Sequence, residues 1–265
     1  LGEFEEKDFV LKQVESIFNE MDGDGLNRLM SRFFNDFRRL SNDPDNDAVR
    51  QAVRESSRAL VSDLRRMRSE LKEVGRHIDS RLSGFVTEAN DLVEQIQKLN
   101  FEIRKLEVSG HQANDLNDQR DVALKKLGSY LNISTHKDEH GSIIVDVKGI
   151  GPLVTSATSE KFGVKRTPAD GRGKAEAAYD ITTTASANAI ITHNIQGGKL
   201  GGLLNVRDKT LSAALERLDD LAYNLSNAVN AIHVQGVNRS GLTGISFFQP
   251  LITRERAAEA IDLSD

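Results

Sequence analysis

Between Leu60 and Leu106 apolar residues return at steps of three and four: Leu60, Leu64, Met67, Leu71, Val74, Ile78, Leu82, Phe85, Ala89, Leu92, Ile96, Leu99, Ile103 and Leu106. This rhythm marks one apolar face of an α-helix. The departure is a 4-4 step at Ile78–Leu82, a stutter that locally unwinds a left-handed supercoil. Val49 and Val53 carry the stripe backwards. Together they predict a helix over 47–107, about 90 Å long at 1.5 Å per residue. A second seam, Leu211, Leu215, Leu218, Ala222, Leu225, Val229 and Ile232, is its expected antiparallel partner. Two shorter amphipathic segments come first, separated by DGDG at 22–25. One spans 5–21, with Phe9, Val10, Val14, Ile17, Phe18 and Met21 on one side. The other carries Leu26, Leu29, Met30, Phe33, Phe34 and Phe37. SNDPDND at 41–47 offers several helix N-caps, and residues 114–131 supply a further helix.

The texture changes in the middle of the chain. SIIVDVK (142–148), PLVT (152–155), KFGVKR (161–166), AAYDITTT (177–184) and AIITHNI (189–195) are short, β-branched and partly alternating. Turn material such as EHG, GIG and PADGRGK (168–174) separates them. The expected fold class is therefore α+β. Residues 1–131 and 199–265 form an elongated helical bundle with long antiparallel coiled-coil-like helices, and 132–198 a small antiparallel β insert.

Composition narrows the function classes. Thirty-five basic and forty acidic residues give a net charge of -5, without the basic field of a nucleic-acid binder. The absence of cysteine removes disulfides, thiolate zinc sites and a cysteine nucleophile together. No apolar run approaches the ~18 residues of a membrane span, and no secretory signal opens the chain. Neither a nucleic-acid nor a membrane partner is expected. Charged residues reach 28% and aromatics only 5%, a balance that suits solvated helices better than an enzyme enclosing a dry pocket.

The densest polar stretch is Asn114, Asp115, Asn117, Asp118, Gln119, Arg120 and Asp121, at the start of a predicted helix. Three carboxylates at three-residue spacing could act as acid and base or hold a cation. The structural alternative has Asn114 or Asp115 capping the helix, the acids in its positive first turn, and Arg120 anchoring a neighbouring element. Other motifs fail on spacing. MDGDGL (21–26) has Asn27 and Phe33 where a calcium loop needs Gly and Glu, and it reads as a helix–helix turn. GGKLGG (197–202) lacks the Gly and Ser/Thr of a phosphate loop, and its paired glycines fit close backbone approach. The six histidines show no metal-ligand spacing; His136 and His140 lie in an expected turn, and His233 at a helix C-terminus. No enzyme motif, cofactor site or metal site is assigned.

The block from Asn114 to Asp121 resembles the signature of the flagellar hook-associated proteins of the FlgK type. Phe18-Asn19, the Leu26–Phe34 helix, Pro44 to Arg50, and the QI-x-x-LN segment (Gln95, Ile96, Leu99, Asn100) follow in the family's order. GGKLGGLLNVRD (197–208) is similar to its re-entry into helix. LDDLAYNLSNAVNAIHVQG (218–236), with Gly241, Gly244, Phe247 and Phe248, is similar to its second helical signature. On this resemblance Asn114, Asp115, Asp118, Arg120, Asp121, Asn230, His233 and Gly236 are structural signature residues.

The resemblance implies a non-enzymatic structural protein joining hook to filament. Its implied partners are hook protein, the second junction protein, further copies of itself in a ring, and an export chaperone. It implies a place outside the cell in the flagellum, reached through type III export without a cleavable signal. The family's terminal helices are not matched, so a core piece without the terminal segments is expected. Rival readings are another axial protein (flagellin or the second junction protein), a cytoplasmic coiled-coil scaffold, and a hydrolase with an Asp-rich site. The first lacks the Asn114–Asp121 block. The second needs no β insert, and the third lacks its motifs.

Overall fold

The computed structural model describes residues 2–18, 25–139, 141–169, 176–186, 188–238 and 240–264. The helices are α1 (Gly2–Phe18), α2 (Leu26–Asn42), α3 (Asp47–Val108), α4 (Asn114–Tyr130), α5 (Gly198–Asn205), α6 (Ser212–His233) and the short α7 (Ala257–Ala260). A π-helical stretch, Val206–Leu211, lies between α5 and α6. The strands are β1 (Ile133–Lys137), β2 (Ile143–Val147), β3 (Gly151–Val154), β4 (Phe162–Thr167), β5 (Ala178–Thr183) and β6 (Ala189–Ile190). They form two three-stranded sheets of order β1-β2-β3 and β4-β5-β6, with every pairing antiparallel. The α+β class is as expected. No helix among the described residues is long and apolar enough to cross a membrane.

Helix α3 begins where the turn chemistry places it. The Asn46 side chain accepts from the backbone N–H groups of Ala48 and Val49 at 3.0 and 3.3 Å, and the Arg50 guanidinium donates to the Pro44 carbonyl. Leu60, Leu64, Met67, Leu71, Val74, Ile78 and Leu82 are buried. Beyond Leu82 the buried stripe differs from the expected one. Val86 and Val93 are buried while Phe85 and Leu92 are half-buried, and Leu106 is exposed. The seam thus takes three steps of four in succession from Val74 to Val86. Each such step carries it ~40° around the helix, and the alternation of three and four resumes one position later. On α6 the seam also turns. Leu215, Leu218, Ala222 and Leu225 are buried, but Val229 is half-buried and Ile232 is exposed, because Ser226 and Asn230 take the inward face. On α1 Val10 and Val14 are buried, whereas Phe9 and Phe18 lie outward.

Four of the expected strands occur close to their predicted positions. The fifth, 189–195, contracts to β6 followed by a 3-10 turn at Thr192–Asn194. Strand β1 has no signal in the sequence. It reads ISTHK and is almost wholly exposed beyond Ile133, so burial imposes no alternation on it. His136 therefore sits in a strand and not in a turn, with its Nδ1 3.2 Å from Asp146 on β2. His140, residues 170–174 of the PADGRGK turn, and Met21 to Asp24 of the MDGDGL turn lie outside the described residues.

The chain divides into two compact units, Leu1–Leu11 with Gly75–Thr210 and Lys12–Val74 with Leu211–Asp265. All six strands belong to the first. That unit contains an alternating row of rings and cations. Arg81 lies over Phe9 at 5.0 Å and Phe85 at 5.4 Å, and Lys199 over Phe85 at 5.4 Å and Tyr130 at 5.0 Å. The row fastens α1, α3, α5 and α4 through cation–π attraction. Glu6 accepts two hydrogen bonds from Arg81 at 2.8 and 2.6 Å. The Tyr130 hydroxyl donates to Glu88, and that bond, aided by burial, pushes its pKa up to about 12. Close approach explains the glycines of GGKLGG. Gly198 has φ +63, and a Cβ there would stand 2.4 Å from the Tyr130 carbonyl oxygen.

Candidate functional site

Asn114 opens α4 from a buried Ala113, which occupies the N-cap position without a side-chain cap bond. The expected cap by Asn114 or Asp115 is therefore absent. Leu99 and Ile103 near the end of α3 form a small core with Ala113 and Leu116, and burying Ala113 there fixes where α4 begins. Asn114, Asp115, Asp118 and Asp121 are exposed on α4, with Asp115 in the first turn. Among the described residues no group of three His, Asp or Glu side chains is placed to hold a metal ion.

Arg120 points inward and is only 2% exposed. Its Nη1 donates to Asn100 Oδ1 at 3.1 Å and its Nη2 to Asn117 Oδ1 at 2.5 Å. Both acceptors are neutral amides, and among the described residues no carboxylate forms an ion pair with it. Nε is buried without a partner. Burial lowers the guanidinium's pKa, while the charges of Asp121 and Glu107 oppose the shift. Asn100 is itself buried and completes the node. Its Nδ2 donates to the Ile143 carbonyl at 2.7 Å, and its Oδ1 accepts the Ile143 N–H at 3.2 Å. One amide side chain thus takes the place of a neighbouring strand for the first residue of β2, and Arg120 braces it from α4.

The same device recurs along the first unit. Asn90 Nδ2 donates to the Phe162 carbonyl at 2.8 Å and its Oδ1 accepts the Phe162 N–H at 2.9 Å, which holds the start of β4 on α3. Gln97 accepts from the Ser159 hydroxyl at 2.7 Å. Asp79 accepts the Tyr179 N–H at 3.1 Å and an Arg207 bond at 3.0 Å, while Arg207 also donates to the Tyr179 carbonyl at 2.5 Å. Beside Gln97 an open hollow of about 440 Å³ is lined by Glu94, Lys98, Phe101 and the 156–161 connection. Within its lining Lys161 Nζ donates to Glu94 Oε2 at 3.1 Å.

In the second unit Asn230 does the equivalent work on α6. It donates to the Phe248 carbonyl at 2.9 Å and accepts the N–H groups of Phe247 and Phe248, both at 2.9 Å. His233, the last residue of α6, donates from Nδ1 to the Ile245 carbonyl at 2.8 Å, and its ring meets that of Phe247 edge-on. Gly236 donates to the His233 carbonyl at 3.0 Å in the turn that follows. Buried Arg68 on α3 holds Asp219 on α6 through bonds of 2.9 and 3.2 Å. Asp219 also accepts the N–H groups of Arg256 and Ala258 at 3.0 Å each.

The signature residues thus divide between two nodes. Arg120 joins one and Asn230 and His233 the other, while the acids around Arg120 stay on the surface. The sequence reading passed over Asn90, Arg68 and Asp79, and it quoted Asn100, Arg207 and Asp219 only within family blocks, without a role. One signal could have found three of them: Arg68, Asn100 and Asp219 each stand four residues after an apolar seam position, at Leu64, Ile96 and Leu215. A polar residue in register with an apolar seam must find a partner.

Comparison with known proteins gives this architecture a family. The flagellar hook-associated protein 1 of Bacillus subtilis is 26% identical over 266 residues, covering 93% of this chain and 52% of that protein. The protein of the same name from Escherichia coli K12 is 26% identical over 221 residues, covering 83% of this chain and 40% of its own. The solved structure of the flagellar hook junction protein FlgK from Burkholderia pseudomallei matches with a TM-score of 0.81 at 25% identity, over 94% of this chain and 44% of that one. This chain therefore spans about half the length of the relatives it matches. Residues 11–248 match the family described as flagellar hook-associated protein FlgK helical domain, and the chain belongs to that family.

Proposed function

We propose that this chain is the helical core of a hook–filament junction protein, a structural and non-catalytic component of the bacterial flagellum. The family match over residues 11–248 carries the reading. The site chemistry agrees with it, since Arg120, Asn100 and Asn230 spend their hydrogen bonds on the chain's own backbone and side chains. In this reading residues 1–131 and 199–265 form the load-carrying body, 132–198 is an insert held on α3, and the named signature residues keep the shape. The complete protein meets hook protein on one side and the second junction protein on the other, with copies of itself alongside. It reaches the outside of the cell through type III export with the help of a chaperone.

Deleting the gene in its own host tests this. Cells should keep their hooks and shed flagellin into the medium, and the intact gene in trans should restore attached filaments. Filaments that remain attached to hooks in the deletion strain would refute the junction role.

A further inference from the structure

Helix α2 concentrates charge of one sign. Its 17 residues hold Arg28, Arg32, Arg38 and Arg39 against a single carboxylate, Asp36, in a chain of net charge -5. All four arginines are exposed, and Asp36 is buried. At 3.6 residues per turn Arg28, Arg32 and Arg39 fall on one line about 16 Å long, with exposed Asn35 between them and Arg38 on the flank. Asp36 engages this line only at its margin. Its Oδ1 accepts from Arg39 Nη1 at 3.5 Å, and its Oδ2 lies 3.9 Å from Arg32 Nε and forms no hydrogen bond. The Arg32 and Arg39 side chains stay 57% and 66% exposed. The opposite face is committed to packing. Leu29 and Phe33 are buried, and the Phe33 ring meets those of Phe37, Phe247 and Phe248. Phe34, 47% exposed, stands one turn before Arg38.

We propose that the arginine line of α2 is a docking surface, and that it fits a carboxylate-rich helix of another protein. Charge and shape select this partner. A guanidinium fork meets a carboxylate through two parallel hydrogen bonds, a match that lysine cannot make, and α2 has no lysine. A helix with Asp or Glu at positions i, i+4 and i+11 sets its carboxylates at the spacing of Arg28, Arg32 and Arg39. A lipid surface fits less well, because the apolar side of α2 is packed against rings and is not free to insert. Nucleic acid fits less well too, since beyond this line the chain is net acidic and repels an extended polyanion. Arginines beside an exposed aromatic ring are also the usual material of binding hot spots. The proposal rests on α2 alone and its test uses no flagellar component, so it stands or falls apart from the junction reading.

Fluorescence anisotropy tests it with the whole chain and a labelled helical peptide that carries Glu at those positions. At low salt the expected dissociation constant is about 100 µM, and it should rise with added salt as the charges are screened. A peptide of the same composition in scrambled order, a single-stranded oligonucleotide and phosphatidylglycerol vesicles should each bind at least ~fivefold more weakly. Arg32→Gln combined with Arg39→Gln should weaken peptide binding at least ~tenfold, and Arg38→Gln alone about threefold. Arg32→Lys combined with Arg39→Lys keeps the charge beside Asp36 and should still lose about threefold, because the fork is gone. Arg58→Gln, at a 62% exposed side chain on α3, should change nothing. Melting curves check that each variant is folded. The absence of binding at ~1 mM peptide would overturn the proposal. So would a scrambled peptide, oligonucleotide or vesicle that binds as well as the designed peptide, or arginine-to-glutamine variants that bind like the wild type.

Discussion

Arg120 keeps its charge on two amides, so shape and charge can be separated by substitution. Arg120→Ala removes the brace from Asn100 and leaves a void, and should cost about 1–3 kcal/mol in urea denaturation. Arg120→Met keeps an aliphatic stem and sheds the desolvation penalty of a buried cation, so it should retain most of that stability. A double-mutant cycle with Asn100→Ala should show coupling of ~0.5–3 kcal/mol. If Arg120→Ala melts like the wild type, the brace is idle. EDTA and calcium should leave the wild-type melting point unchanged; a fall in EDTA restored by calcium would assign the exposed Asp residues to a cation instead. Arg120 was legible because it sits inside a conspicuous polar block. The clamping role of Asn90 and Asn100 was not, because an asparagine on an amphipathic helix ordinarily reads as surface. Their partners stand 72 and 43 residues further along the chain, and no local pattern links them.

Among the elements, α3 was read almost to its ends, since a sustained seam leaves few alternatives for its limits. Which residues form that seam beyond Leu82 was less legible. Phe85-Val86 and Leu92-Val93 are adjacent apolar pairs, and periodicity cannot choose between neighbours. The fold chose Val86 and Val93, leaving Phe85 at the edge, where it meets the cations of Arg81 and Lys199. The seam itself can be tested at two leucines seven residues apart. Leu99→Asp puts a carboxylate into the buried core with Ile103 and Ala113 and should cost at least ~3 kcal/mol. Leu106→Asp, at an exposed position, should stay within ~0.5 kcal/mol. Equal effects in thermal melts would mean that the end of α3 is packed otherwise.

At the scale of the molecule, composition and seam spacing gave the class, and the family signatures gave the relationship. A TM-score of 0.81 at 25% identity shows that the architecture survives replacement of most side chains. The compact units were not legible, because α1 and α3 each run unbroken from one unit into the other. Acid should act on the second unit through two carboxylates. Hydrogen bonding from Arg256 outweighs burial and lowers the Glu259 pKa below 4.5, and hydrogen bonding from Arg65 likewise lowers Asp262 below 3.8. A group whose folded pKa is depressed adds stability above its unfolded value and loses it as pH falls through the folded one. The melting temperature should therefore drop below about pH 4.5. Glu259→Gln should melt lower than the wild type at neutral pH and lose less on acidification. Both side chains are partly exposed, so the effect is small for each. An identical acid profile for Glu259→Gln would exclude this contribution.

The amide clamps also set a chemical lifetime. Asn90, Asn100 and Asn230 each donate an amide hydrogen to a carbonyl, of Phe162, Ile143 and Phe248 respectively. Hydrolysis of any of these amides to aspartate would turn that donor into an anionic oxygen facing the carbonyl, so the clamp would repel the strand or loop it had held. Spontaneous deamidation begins when the next residue's nitrogen attacks the side chain, a ring closure that needs a mobile backbone and is fastest before glycine. Here the following residues are Asp91, Phe101 and Ala231, and all three asparagines lie inside helices. The positions that would suffer most from ageing are thus the ones whose surroundings slow it.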